Sequence, residues 1–320
     1  MTFLSRATAH APGSIGNFGP GLDVLGAALM GIYDSVTAEW CEGSGISVLD
    51  SGHADLPTDP ARHASAIAAA AVVRIAGPSS STTDRGIGLT VRKALPLSAG
   101  QGGSAASAVA GAAAVNLLLG SPLEETELLA ACLTAEEAVA GRHLDNIAPA
   151  LLGGVCLIRS LDPIDVIRLP LPGRLRVVLA HPNQTLRTAD ARAALPATLD
   201  RPVAVQQMAN VAAIVAALFE EDLALLGRAL DDRIAEPARA TLIPGFLEAK
   251  KAALEAGALG ASISGAGPTS FALCDSDVGA QRVAHAMRHA YEDAGVSAHV
   301  RVTRIDPQGV RSETEPAVAR

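Results

Sequence analysis

The stretch Pro96-Leu97-Ser98-Ala99-Gly100-Gln101-Gly102-Gly103-Ser104-Ala105-Ala106-Ser107 constrains this chain most, because a loop of small residues runs there straight into an alanine-rich helical pattern ending near Leu119. With no side chains at Gly100, Gly102 and Gly103, the backbone can close around an anion, and the N–H groups and dipole of the following helix face the same point. Gly120 is the expected stop of that helix. No lysine follows the glycines, since the lysines are Lys93, Lys250 and Lys251, so the loop is not a Walker A motif. A nucleotide held here would have its charge met by Mg²⁺, backbone amides and the hydroxyl of Ser104 or Ser107. Taken alone, the loop fits a glycine-rich turn ahead of a buried helix equally well.

A chain of 320 residues, 49% of them hydrophobic, has enough material for one large domain or two intimately packed ones. Only 2% are aromatic, so the core must be built from Ala, Val, Leu and Ile, and stacking on nucleic-acid bases is not expected. The net charge of −8 gives no basic footprint for nucleic acid or an anionic membrane, which leaves small-molecule partners. Cys41, Cys132, Cys156 and Cys274 are too scattered for a zinc site or a redox pair and suit reduced thiols. No apolar run of signal-peptide length opens the sequence, and the expectation is a cytoplasmic protein.

Period-two or strand-like content marks residues 8–11, 35–39, 46–49 and 87–91, and helical patterns cover 63–76, 104–119 and 124–140. The later half reads as strands at 155–158, 177–180, 261–264, 270–274 and 298–302. Its expected helices span 189–195, 203–219, 223–234, 245–256 and 278–294. Residues 77–84 are expected to form a surface loop and 306–320 a polar tail that frays. The fold class is therefore α+β, with a division into residues 1–152 and 153–320.

Three further clusters accompany the loop. They are Ala11-Pro12-Gly13-Ser14-Ile15-Gly16-Asn17-Phe18-Gly19-Pro20-Gly21-Leu22-Asp23-Val24-Leu25-Gly26, His143-Leu144-Asp145-Asn146-Ile147-Ala148-Pro149, and Ser262-Ile263-Ser264-Gly265-Ala266-Gly267-Pro268-Thr269. In this order the chain resembles the GHMP small-molecule kinases. From about Ala11 to Asp275 it is similar, more narrowly, to homoserine kinases, through the His143–Pro149 string and the stretch from Ile234 to Phe246. The resemblance implies the two-domain GHMP kinase fold with a nucleotide site between the domains, and phosphorylation of the side-chain hydroxyl of L-homoserine by ATP with Mg²⁺.

It further implies that residues 96–107 wrap the phosphates, that Ser104 and Glu136 coordinate Mg²⁺, and that the loop carrying Gly265, Gly267 and Thr269 closes on the nucleotide. Asn17, Asp23, His143, Asp145, Arg192 and Arg239 would form the amino-acid pocket. The chain departs from the loop common in the family, Gly-Leu-Gly-Ser-Ser, by Gly100-Gln101-Gly102-Gly103-Ser104, losing one hydroxyl and one apolar anchor. A segment one residue shorter before His143 leaves Glu137 as the alternative metal ligand. A homodimer is a further expectation.

Chemistry is compatible with the same inventory, although Glu136-Glu137 taken alone fits two solvated charges on a helix face better. Phosphoryl transfer asks for positioning and charge neutralisation, which a carboxylate, a hydroxyl and backbone donors supply. A free amino acid needs acidic acceptors for its ammonium, here Asp23 and Asp145, and fork-shaped donors for its carboxylate, here Arg192 and Arg239. Singly, each arginine also fits a surface position, Asp23 could cap a helix beginning at Val24, and His143 could bond within a loop. The resemblance puts Asn146 at or near the place where related kinases carry an aspartate base. An amide cannot accept the proton, so direct in-line attack aligned by Asn146 and Asn17 is expected. Two alternatives are a GHMP kinase for another small alcohol and a non-catalytic nucleotide or amino-acid sensor. A Rossmann module is disfavoured because Gly13 and Gly16 lack the dinucleotide-binding glycine spacing.

Overall fold

A computed structural model describes residues 4–77 and 85–316. The strands are β1 (Leu4–Gly16), β2 (Leu25–Cys41), β3 (Ile46–Asp50), β4 (Gly86–Arg92), β5 (Val155–Leu161), β6 (Ile164–Leu169), β7 (Arg176–Pro182), β8 (Gly260–Ile263), β9 (Ser270–Cys274), β10 (Ala298–Thr303) and β11 (Arg311–Pro316). The helices are α1 (Ala64–Ala76), α2 (Gly103–Leu118), α3 (Glu125–Val139), α4 (Ile147–Leu152), α5 (Thr188–Ala193), α6 (Arg201–Glu220), α7 (Leu223–Ala229), α8 (Ala235–Arg239), α9 (Phe246–Glu255) and α10 (Asp277–Asp293). The expected α+β class holds.

A seven-stranded sheet orders β11-β1-β2-β4-β3, with β5 joined to β2 and β6 to β5, and α1, α2 and α3 pack together on it. Helix α2 has no polar stripe. All but three of its sixteen residues are buried, so it is a core helix whose only free features are its ends. The alanines that the composition demanded fill this layer, where their small side chains let helices and sheet approach closely. A second sheet, ordered β10-β7-β9-β8, is covered by α9 and α10. A core of Ile15, Phe18 and Leu25 with Val177, Leu179 and Phe271 joins the two halves, and Phe18 stacks on Phe271 with ring centroids 5.8 Å apart.

Several expectations change. The tail does not fray from residue 306: β11 adds to the edge of β1, and Arg311 anchors it by donating to both carboxylate oxygens of Asp306 (2.8 and 2.9 Å). Strand β6 was not legible, because its alternation is blurred by Asp165 and Arg168 on a half-exposed surface. No helix starts at Val24; Asp23 has a positive φ of 60° and leads into β2. The loop at 77–84 falls, beyond Gly77, outside the described residues. Division at residue 152 is retained as a proposal about the two halves in sequence; the sheets themselves interleave, since β5, β6 and β11 all join the first.

Candidate active site

Strand β4 delivers the chain through Lys93 to the glycine loop, and the loop turns into α2 without a side-chain cap. Gly102, at φ +67°, is the N-cap residue, so the first N–H groups of α2 are left for an incoming anion. Gly100 shows why this loop tolerates no larger residue: at φ +73°, an added Cβ would lie 2.5 Å from the Ser264 carbonyl oxygen and 2.7 Å from that of Gly267. The two glycine loops are thus stitched together. Ser264 Oγ donates to the Gly100 carbonyl (2.6 Å) and the Thr269 amide to that of Ala99 (3.2 Å).

Behind the loop, Lys93 Nζ pairs with buried Asp34 and donates to the Gly103 carbonyl and to Ser107 Oγ, both at 2.9 Å. Ser107 Oγ in turn donates to Asp34 (3.0 Å). Of the two hydroxyls considered for a bound nucleotide, Ser107 is therefore held in the frame of the loop, while Ser104 is exposed and lines the cleft together with Glu136. Lys93 carries no motif in the sequence. Its isolation ahead of the loop in a lysine-poor chain was the one signal available.

A cleft of about 590 Å³ brings most of the expected residues together. Asn17, Asp23, Pro96 to Gly100, Gly102 to Ser104, Glu136, His143, Asp145, Asn146, Arg192, Arg239 and Gly265 all line it. Gln101, Ala105, Ala106, Gly267 and Thr269 do not. Ala105 and Ala106 are buried in α2, and the Gln101 and Thr269 side chains meet each other away from the cleft. Missed by the sequence reading were Asp55, Leu56, Pro57, Arg62 and His63 on the loop side, and Thr185, Arg187 and Thr188 opposite; none stands in a recognisable motif.

The amino-acid end is a packed polar cluster. Asp145 Oδ2 accepts from the Asn17 amide (2.9 Å), while Oδ1 lies 3.0 Å from His143 Nδ1 and accepts from Asn146 Nδ2 (3.3 Å). Asn146 Oδ1 accepts from Ser14 Oγ (2.9 Å). Asn17 Nδ2 donates to the Gly265 carbonyl (3.1 Å), and its Oδ1 accepts from the Asp23 amide (3.2 Å). Arg192 forks onto Asp23 at 3.0 and 3.3 Å, whereas Arg239 is buried and donates to the Ala191 (3.1 Å) and Gly265 (2.9 Å) carbonyls.

Glu136 is 2% exposed and Glu137 is on the outer face of α3, so only the former reaches the cleft. Burial pushes the Glu136 carboxyl up to about 7; Asp145 adds to the rise, and His143, Ser104 and Arg192 oppose it. Burial alone would lower His143, yet the carboxylate of Asp145 3.0 Å from its Nδ1, with Glu136 and Asp23, carries it up to about 9. A histidine that holds its proton more tightly folded than unfolded contributes stability that is complete below pH 6.5 and lost as the pH rises through about 9. We expect Tm, followed by differential scanning fluorimetry, to fall across that window and His143→Gln to flatten the fall. Parallel curves for the two proteins would contradict the pairing.

Residues 64–154 match the family of GHMP kinases N terminal domains, and residues 214–293 that of GHMP kinases C terminal. The homoserine kinase of Chlorobium phaeobacteroides strain DSM 266 is 42% identical over 296 residues, covering 90% of this chain and 92% of its own length. That of Arabidopsis thaliana is 41% identical over 318 residues, covering 97% of this chain and 85% of its own. The crystal structure of homoserine kinase from Cytophaga hutchinsonii superposes with a TM-score of 0.91 at 38% identity, over 98% of this chain and 99% of that one. L. major mevalonate kinase shares the fold, with a TM-score of 0.70 at 18% identity over 95% of this chain and 98% of its own. The chain belongs to the GHMP kinase family and, within it, to the homoserine kinases.

Proposed function

We propose that the chain transfers the terminal phosphoryl group of ATP to the side-chain hydroxyl of L-homoserine, giving O-phospho-L-homoserine, a step on the way to threonine. The observation that carries this reading is one cleft lined at one end by an uncapped glycine loop and at the other by Asp23, Asp145, His143 and Arg192, charges of both signs suited to an amino acid. The nucleotide then lies between the two sequence halves, with its phosphates against residues 96–104 and Gly265 across from them.

Ser104 and Glu136 are the residues that would hold Mg²⁺. A hydroxyl and a carboxylate suit a hard cation, and Glu136 Oε2 is buried without a hydrogen-bond partner among the described residues. Bound there, the cation supplies positive charge opposite the transferred phosphate. The carboxylates of the amino-acid cluster are engaged, Asp145 by Asn17, His143 and Asn146 and Asp23 by Arg192, while Asp55 at the rim is exposed beside His53. This favours in-line attack without a protein base. Asn146 aligns the hydroxyl, while Asn17, bonded at both ends of its amide, holds the Asp23 turn against Gly265.

An ADP-release assay over amino-acid and sugar alcohols tests the assignment. Turnover on L-homoserine well above the rest is expected. Preference for a sugar alcohol would leave another GHMP kinase, and nucleotide binding without turnover on any alcohol would leave a sensor.

A homodimer is the second part of the reading. Helix α6 is long and apolar enough to cross a membrane by length and composition, but Ile214, Ala217 and Leu218 pack into the core that joins the two halves. Its outer face, from Pro202 to Phe219, has no charge and exposes Val205, Met208 and Phe219 with alanines 209, 212 and 216. That face is self-complementary in an antiparallel pair centred on Ala212, which sets Val205 opposite Phe219 and Met208 opposite Ala216. Ala212→Arg is expected to convert a dimer to a monomer in light scattering; a monomeric wild type removes the proposal. A cytoplasmic location is consistent with four cysteines free of disulfides.

A further inference from the structure

Gln101 has the only side chain between Ala99 and Ser104, and it points out of the cleft. The residue is 5% exposed. Its Nε2 donates to Thr269 Oγ1 (3.2 Å), and its Oε1 accepts from Arg301 Nη2 (3.3 Å). Thr269 is fully buried at the entry to β9, and with its oxygen accepting from Gln101, its own proton can go to His181 Nδ1 on β7, 3.1 Å away. Arg301 comes from β10 and also donates to the Met30 carbonyl (3.3 Å). The backbone of Gln101 is tied in the opposite direction, its carbonyl accepting from the Ser14 amide on β1 (3.0 Å).

One residue therefore fastens the loop to both sheets. This matters because its neighbours Gly100 and Gly102 both sit at positive φ and have no side chain to restrain them. A loop with that backbone freedom presents its amides in a fixed arrangement only if something else pins it, and ordering it on binding would weaken the affinity for an anion. Mere filling of space would need an apolar side chain. A buried amide matched at both ends is specific, because each partner left unmatched is penalised.

We infer that Gln101 is a positioning residue for the nucleotide: the Thr269–Gln101–Arg301 bridge holds the loop's backbone amides in register with the phosphates and has little part in holding the amino acid. The inference rests on the reading of residues 96–104 as the phosphate cradle. The test is a double-mutant cycle of Gln101→Met, close to isosteric but without donor or acceptor, with Thr269→Val. ADP affinity is measured by calorimetry, with steady-state KM for ATP and homoserine.

Each single variant is expected to weaken ADP binding and raise KM for ATP about tenfold, with kcat and KM for homoserine within about twofold, and the double variant is expected to be little worse than either single one. Unchanged ADP affinity in both single variants, additive losses, or equal losses for homoserine would overturn the inference. Gly100→Ala separates it from the reading beneath: if that variant weakens ADP binding while Gln101→Met does not, the bridge is wrong and the cradle stands. If none of these variants weakens it, the cradle is wrong. Should Gln101→Met fail to fold, Arg301→Met replaces it in the cycle with the same expected outcomes.

Discussion

Replacing Glu136 by Ala is expected to cut turnover by at least about a hundredfold while homoserine binding changes little, comparable with removing one electrostatic stabiliser of developing charge from an active site. The side chain is buried where it lines the cleft, and its Oε2 has no hydrogen-bond partner among the described residues, which suits the proposed metal ligand. It makes no hydrogen bond to the Asp23–Arg192 pair or to Asn17, and it approaches the amino-acid cluster through His143, whose Nδ1 lies 3.7 Å from Oε1. Steady-state kinetics with varied homoserine and varied magnesium would separate the two effects. Glu137→Ala is the control, because that side chain is exposed on the outer face of α3. If Glu136→Ala were nearly wild type and Glu137→Ala inactive, the assignment of the metal ligand would be wrong by one residue.

That choice illustrates what the sequence could and could not carry. Two adjacent glutamates on a helix point about 100° apart, so one of them must leave the cleft, but the shortened segment before His143 hid which. The glycine loop and the alanine helix behind it were legible because each rests on local chemistry, missing side chains and helical periodicity. The charged residues of the pocket were singled out by the family resemblance, and chemistry only made them compatible with a zwitterion. The partnerships were not legible. Ser107 is drawn into the frame by Lys93, just past the end of β4, and by Asp34 on β2, 73 residues away in sequence, and Gln101 is turned away from the cleft by Thr269 and Arg301. Strand β11 was invisible for the same reason: a polar tail becomes a strand only where an open edge, here that of β1, accepts it.

The last expectation separates two arginines that the sequence treated alike. Arg192 is about two-fifths exposed and lies in a bidentate pair with Asp23, whereas Arg239 is buried and already donates to the Ala191 and Gly265 carbonyls. Arg192→Leu should raise KM for homoserine by about ten- to more than a hundredfold with Tm almost unchanged, since a charged hydrogen bond to a partly buried carboxylate contributes roughly 1.5–3 kcal/mol. KM for ATP should move much less. Arg239→Leu should produce a similar KM effect together with a lower Tm, because two buried carbonyls lose their donor. The substrate analogue 3-amino-1-propanol, which keeps the ammonium and hydroxyl but lacks the carboxylate, should be a poor substrate of the wild type and should gain no further penalty from Arg192→Leu. Equal turnover of the analogue and L-homoserine, or an unchanged homoserine KM in both arginine variants, would show that neither guanidinium reads the carboxylate.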